Sequence, residues 1–573
     1  MRVSAADSGL SARGGLVTAG ILPLLLPLLI QLLIQLLILG FAPAPRGHGA
    51  EPPGAGGLTA SPEPAPPAAD DLFLRRIHLD LAGRQPTFAE TEAFRADPSP
   101  GKRAAAVDRL LAAPAWSQTW ARYFRDVILF RRTDPRAAFM QAPLETFLTA
   151  ELAADASWGT IARDLITATG APGEQGETAI IIAHMGETAD IAAEVSRIFL
   201  GIQLQCAQCH DHFTDRWKRE QFHELAAFFP RIAIRPTGGQ GPDRFEVVSF
   251  DVQPRAVRGR KPPDNPRRGD LEHEMPDRDD PSLPGTVMAP RFFLTGQSLP
   301  LGTPDLQRRH AIAEWITSPD NPWFARAIVN RLWAELVGEG FYPAIDDLGP
   351  DRIPQEPERL ADLAAGFAAH DSDLRWLFRA ICISPEYGRG SRSRSSPARA
   401  GFAANCPQRL RADQLFTQLL DTLGVDEARA AQAAARRRGA AGPVPAPAEE
   451  LMARYRLGTP RNLFGQVFGY DPSLPREEIV GSIPQTLVFM NGPQVAAALD
   501  GHRPGTLLGR LLRTESDDAA VTTALYYRAL ARAPSADELA TCLTHVNSVG
   551  DREEGFEDVF WALINSVEFL HRP

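Results

Sequence analysis

The sequence predicts a mainly α-helical protein, two helical domains joined by a small β-containing, loop-rich segment. Apolar residues recur at steps of three and four through residues 71–233 and again through most of 301–573, the spacing that lays one stripe along a helix. A strand-like run appears in one place, Phe245-Glu246-Val247-Val248-Ser249-Phe250. The chain has 573 residues, 44% of them hydrophobic and 23% charged, ample material for packed cores. Net charge is −10 and no long basic stripe stands out, so nucleic-acid binding is excluded as an expectation.

Taken in order, Arg2 and Arg13 precede an apolar run from Leu16 to Ala42, a charged segment followed by a hydrophobic one, as in export signals. The run is longer than a usual signal core and long enough to span a bilayer. Pro23 and Pro27 kink it, and Pro45 follows the cleavage-like Ala42-Pro43-Ala44. Residues 1–45 are therefore expected to be a signal peptide or membrane anchor. The protein is expected in the periplasm or cell envelope, with inner-membrane association through residues 16–42. Residues 46–70 form a Pro/Gly/Ala-rich linker.

In 71–233, Leu72, Arg75, Arg76 and Leu79 open a helix that Gly83 and Pro86 close. Thr87 caps the next, with Glu90 and Glu92 in its early turns. Trp116, Trp120, Tyr123 and Phe124 recur at helical spacing and are expected in the core. Ile191, Val195, Ile198, Phe199 and Ile202 share one helical face, with Gly201 beside it where another group can approach closely. A further helix is expected from about Asp215 to Pro230. Residues 234–300 are the β/loop connector, with 254–285 read as loop. Residues 301–573 return to helix, interrupted by insertions at 388–399 and 428–447. Asp346, Asp347 and Asp351 are read as caps and turn residues around Gly349-Pro350, with a cation site or acid–base pair as the alternative. Arg326, Asn330, Arg331 and Trp333 are read as a buried ion-pair network or the lining of a groove.

The chemistry concentrates at Cys206-Ala207-Gln208-Cys209-His210. Cys-x-x-Cys-His is the attachment pattern for c-type haem: two thiols three positions apart add to the two vinyl groups, and the next residue brings an imidazole to the iron. A random chain with these 5 Cys and 12 His shows the pattern roughly one time in 1,000. Met185, His184, His212 and His223 are candidates for the sixth ligand. The same cluster, Cys206, Cys209, His210 and His212, also offers ligands for zinc or iron, with Asp211, Asp215 or His223 completing the set, and Cys206 with Cys209 can form a disulfide. Cys382, Cys406 and Cys542 are scattered, and an odd total makes no disulfide framework.

Phe199 to His212, with Leu225-Ala226-Ala227-Phe228-Phe229, resembles the planctomycete cytochrome-C-like domain of unknown function. Arg75-Arg76-Ile77-His78-Leu79-Asp80-Leu81-Ala82-Gly83 is similar to its start. Where that family has Pro-Phe-Asp after the motif, this chain has Phe213-Thr214-Asp215. The second half resembles the family's companion, the planctomycete-specific C-terminal domain. It does so through Arg309 to Ile316, Asn321 to Arg326, Val329 to Trp333, Arg409 to Gln414, Pro484 to Leu487, Met490-Asn491-Gly492 and Ala562 to Leu570. The resemblance implies a large, mostly helical exported protein and no settled activity. Nucleophile elbow, His-Glu-x-x-His, phosphate loop and dinucleotide fingerprint are all missing. The leading expectation is an exported electron-transfer protein with haem c at Cys206, Cys209 and His210 and an unidentified redox partner. The alternatives are a structural or interaction protein with a Cys/His metal clip, and a metal-assisted hydrolase acting on envelope polymers.

Overall fold

The computed structural model describes residues 63–173, 175–237, 245–250, 272–392, 401–428, 459–475 and 479–573, which belong to one compact unit. The protein is mainly α, with three two-stranded antiparallel sheets and a few isolated β-bridges among the described residues. No helix among them is long and apolar enough to cross a membrane. The apolar run at 16–42 lies outside the described residues.

The first helix, Asp70–Ala82, ends as the sequence predicts, with Gly83 in the left-handed conformation at φ 65°. Thr87 caps Phe88–Ala96 in a reciprocal capping box with Glu90. Trp116, Trp120, Tyr123 and Phe124 all lie on the Pro114–Leu129 helix and are fully buried. Trp120 packs against Phe378, ring centroids 4.2 Å apart. The helix leading to the motif runs Thr188–Val195 and widens into a π-helical turn, Ser196–Leu200. Beyond the motif the helix is shorter than expected, Arg219–Ala226, and Trp217 is buried ahead of it.

The expected strand forms as Phe245–Ser249 and pairs with Ile232–Pro236. The reading of 254–285 as loop is corrected at its end: His273–Met275 is a strand paired with Thr286–Met288. Residues 251–271 lie outside the described residues. The expected insertion at 388–399 also begins inside the structure, since Arg389 bridges to Pro67 and Ser391 to Asn405. Of the other insertion, residues 429–447 lie outside the description.

Two apolar cores organise the packing. One runs from Ala68 to Phe402 and so draws helices from both sides of the connector; the other gathers Leu410 to Phe569 together with Leu79. The first helix belongs to both, and every residue from Phe73 to Ala82 is buried. Its charged residues are satisfied by distant parts of the chain. The Asp80 carboxylate accepts hydrogen bonds from Arg572 Nε at 2.6 and 2.8 Å and from the Tyr387 hydroxyl at 2.7 Å. Arg76 donates to the carbonyls of Tyr387, Arg389 and Pro573, and Gln414 Nε2 donates to Leu79 O at 2.9 Å.

Removing one partner of a buried ion pair strands the other charge away from water, at a cost of about 3–5 kcal/mol. Asp80→Ala is therefore expected to lower the unfolding free energy by about that amount, measured by urea titration. A loss under about 1 kcal/mol, the size typical of an exposed pair, would show that the Asp80–Arg572 contact does not support the fold.

Candidate functional site around Cys206, Cys209 and His210

The π-helical turn stops at Gly201, whose φ of 67° favours glycine. A side chain there would also crowd Ala327 and Leu348, within 3.2 Å of an added Cβ. The backbone then enters a short 3₁₀ turn, Leu204–Ala207, that carries Cys206. Leu204 and Ala207 are buried, so the turn is pinned on its inner side, while Cys206 and Cys209 are exposed and both thiols are free. Cys382 and Cys406 are buried; burial pushes the Cys406 thiol up to about 12. Thiolate chemistry is therefore directed to the exposed pair.

His210 Nδ1 lies 2.7 Å from the Asp211 carbonyl oxygen. With its proton on Nδ1 the ring donates to that carbonyl, leaving Nε2 as a lone-pair donor, the arrangement common in metal-bound imidazoles. The ring sits against Phe213, centroids 4.0 Å apart. The next helix secures the loop from within. Arg219 and His223, four residues apart and so on one face, both meet the Gln208 carbonyl: Arg219 Nε donates at 3.3 Å, and His223 Nε2 lies 3.0 Å away. Asp211 accepts from the Arg219 amide at 3.1 Å and from Lys218 Nζ at 2.7 Å, placing a carboxylate at that helix's N-terminus.

A second loop, residues 345–353, closes against the motif. The Leu348 amide donates to Gly201 O at 2.8 Å. Arg216 pairs with Asp351, and Arg352 with Asp347 at 2.8 Å; Arg352 also donates to Thr214 Oγ1 at 3.2 Å. Gly349 lies so close to the Asp215 carboxylate that a Cβ would overlap it. Burial pushes the Asp347 carboxyl up, and Asp215 adds to this, while Arg352 and His212 oppose it. The reading of Asp346, Asp347 and Asp351 as turn residues around Gly349-Pro350 agrees with the turns at Asp346 and Asp351, and all three are in addition ion-paired. Asp346 is buried between Arg197 and Arg331. Asn330 bridges Ile345 O and the Tyr342 amide, so this helix face is the buried network expected rather than a groove.

The expected ligand candidates separate. His223 is buried, its Nδ1 lying 2.8 Å from Nε2 of His273, a partner the sequence did not single out. His184 is buried with both ring nitrogens unpartnered, and its charged neighbours are Glu194, Asp190 and Arg197. Met185 follows it in a left-handed conformation, φ 51°. His212 accepts from the Thr214 amide at Nδ1, 3.3 Å. Among the described residues only His502, Asp551 and Glu553 bring three ligating groups within 4.8 Å of one another, so Cys206, Cys209, His210 and His212 are not a preassembled tetrahedral set. Two exposed free thiols and an oriented imidazole are the groups that a haem joined through thioethers would use. A cavity of about 1170 Å³ lies elsewhere, lined by residues including Arg84, Asp421 and Tyr527.

Two family models match. PSCyt2, protein of unknown function DUF1549, covers residues 58–233, and PSD1, protein of unknown function DUF1553, covers 308–546. The chain carries both domains, in that order. They are the planctomycete cytochrome-C-like domain and its C-terminal companion. The motif lies in the DUF1549 domain and the loop closing on it in the DUF1553 domain. No curated protein and no solved structure matches.

Burial lowers both His223 and His273, and the charge of His223 lowers His273 further, to about 4. An unfolded chain takes up these protons near the ordinary value of 6.5. Stability is thus full above that pH and is lost as pH falls toward about 4, by up to about 1.4 kcal/mol per pH unit for each ring. His273→Phe is expected to shrink the difference between urea midpoints at pH 7 and pH 5. An undiminished difference would remove this pair from the acid sensitivity.

Proposed function

We propose that the protein is exported to the periplasm or cell envelope. There it passes electrons to or from a redox partner through a c-type haem joined to Cys206 and Cys209. The orientation of His210 carries this reading: its Nδ1 is engaged by the Asp211 carbonyl, so Nε2 is the atom left to bind iron. Haem, when bound, supplies one-electron exchange at its iron.

The chain's own residues do the rest. Cys206 and Cys209 hold the group at the surface, where electron exchange with a partner needs no opening of the fold. Arg219 and His223 fix the Gln208 carbonyl between the two cysteines, which limits the loop's freedom to move. The Lys218–Asp211 and Arg216–Asp351 pairs tie the flanks of the loop. The apolar run at 16–42 is proposed to export the chain or to keep it at the inner membrane.

The test is a pyridine haemochrome spectrum of the full chain, produced in a host that matures c-type cytochromes. A c-type band at about one haem per chain is expected, and Cys206→Ser with Cys209→Ser should abolish it. A colourless protein beside a working positive control would overturn the redox reading. Elemental analysis for zinc and iron would then test the metal-clip alternative.

A further inference from the structure

The two most exposed large apolar side chains among the described residues are Ile353, 89% exposed, and Phe213, 83% exposed. They are 140 positions apart in sequence, yet they sit on the two loops that close on each other at the motif. The hydrogen bond from Arg352 to Thr214 joins their immediate neighbours, and the Arg216–Asp351 pair joins the same two loops two to three residues away. The charged groups of these loops are already paired with one another, Lys218 with Asp211, Arg216 with Asp351 and Arg352 with Asp347. Beside these pairs, Phe213 and Ile353 keep most of their surface in water. Leaving a phenylalanine and an isoleucine in water at one place is unfavourable, and the motif itself indicates what covers them.

The geometry points to Phe213 and Ile353 as the apolar bed of the haem anchored at Cys206 and Cys209, one side chain from each of the two domains. This rests on the haem reading above. A haem is a broad apolar plate with its axial imidazole standing on one face. Phe213 packs against the His210 ring at 4.0 Å, so it lies beside the imidazole that would hold the iron. Ile353 follows Arg352, which donates to Thr214 beside Phe213, so the DUF1553 domain would supply part of the cofactor's surroundings. An apolar shell controls solvent access to a metal centre and with it the reduction potential.

Phe213→Ala and Ile353→Ala are made in the full chain beside Val567→Ala, which truncates an exposed side chain, 58% exposed, on the helix Val567–Leu570. All three positions are exposed, so the fold tolerates the changes. The readouts are the haem midpoint potential and the rate at which peroxide bleaches the haem band. For both site variants the expected result is a lower potential, because water reaches and stabilises the ferric state, and several-fold faster bleaching, with Val567→Ala matching the parent. Parent protein without covalent haem would overturn the haem reading and this inference together. Covalent haem with both site variants indistinguishable from Val567→Ala would overturn this inference alone, and is the result expected if a partner protein covers the two side chains. An effect of Phe213→Ala without one of Ile353→Ala would overturn the shared bed.

Discussion

The site depends on one buried carboxylate. Asp346 lies between the guanidinium groups of Arg197 and Arg331, all three almost wholly shielded from water. Burial alone would push its carboxyl up, but Arg331 and Arg197 overcome this and hold it below the ordinary range. Burial disfavours the Arg197 charge too, and Glu194 at 2.5 Å and Asp346 restore it. Arg197 belongs to the turn just before the motif, and Asp346 heads the loop that carries Asp347, Gly349, Asp351 and Ile353. The two surface loops can therefore meet only in the register that this pair allows, because any other leaves a charge buried and unpaired. Ser473 and the Val127 carbonyl complete the set around Arg197, so a third and a fourth segment are held to the same point.

Much of the helical frame was legible in the sequence because its signals are local. Thr87 with Glu90 is a reciprocal cap within one turn, and the Trp116–Phe124 cluster shows its periodicity within nine residues. Gly201 was legible as a place of close approach, although not what approaches it. The strand at Phe245–Ser249 is seen because its β-branched and aromatic residues stand together. The pair His273–Met275 and Thr286–Met288 has three residues a side, too few for a pattern, and sits in a polar, proline-rich stretch that reads as loop.

The candidate site was half legible. Cys206, Cys209 and His210 announce themselves by spacing. Asp347, Arg352 and Ile353 do not, because their relation to the motif is a meeting of two loops about 140 residues apart in sequence, and ion pairs across such distances leave no local trace. His273 escaped for the same reason: its role exists only through the ring of His223. The turn at Asp346 was legible from the composition around Gly349-Pro350, but that its partners are arginines shows only in the folded chain.

The contact between Asp80 and Arg572 has a consequence for the order of events in the making of this protein. The helix Asp70–Ala82 is made early among the described elements, but every residue from Phe73 to Ala82 is buried, and residues up to 573 contribute to its surroundings. Until those residues are available, ten consecutive core positions have no complete burial site. Contacts so remote in sequence make closure slow relative to local helix formation, and a chain exposing such a segment is open to aggregation in the interval. The contact that completes the surroundings of this helix joins residues separated by 492 positions, so the segment stays without its full cover until the whole span has been made.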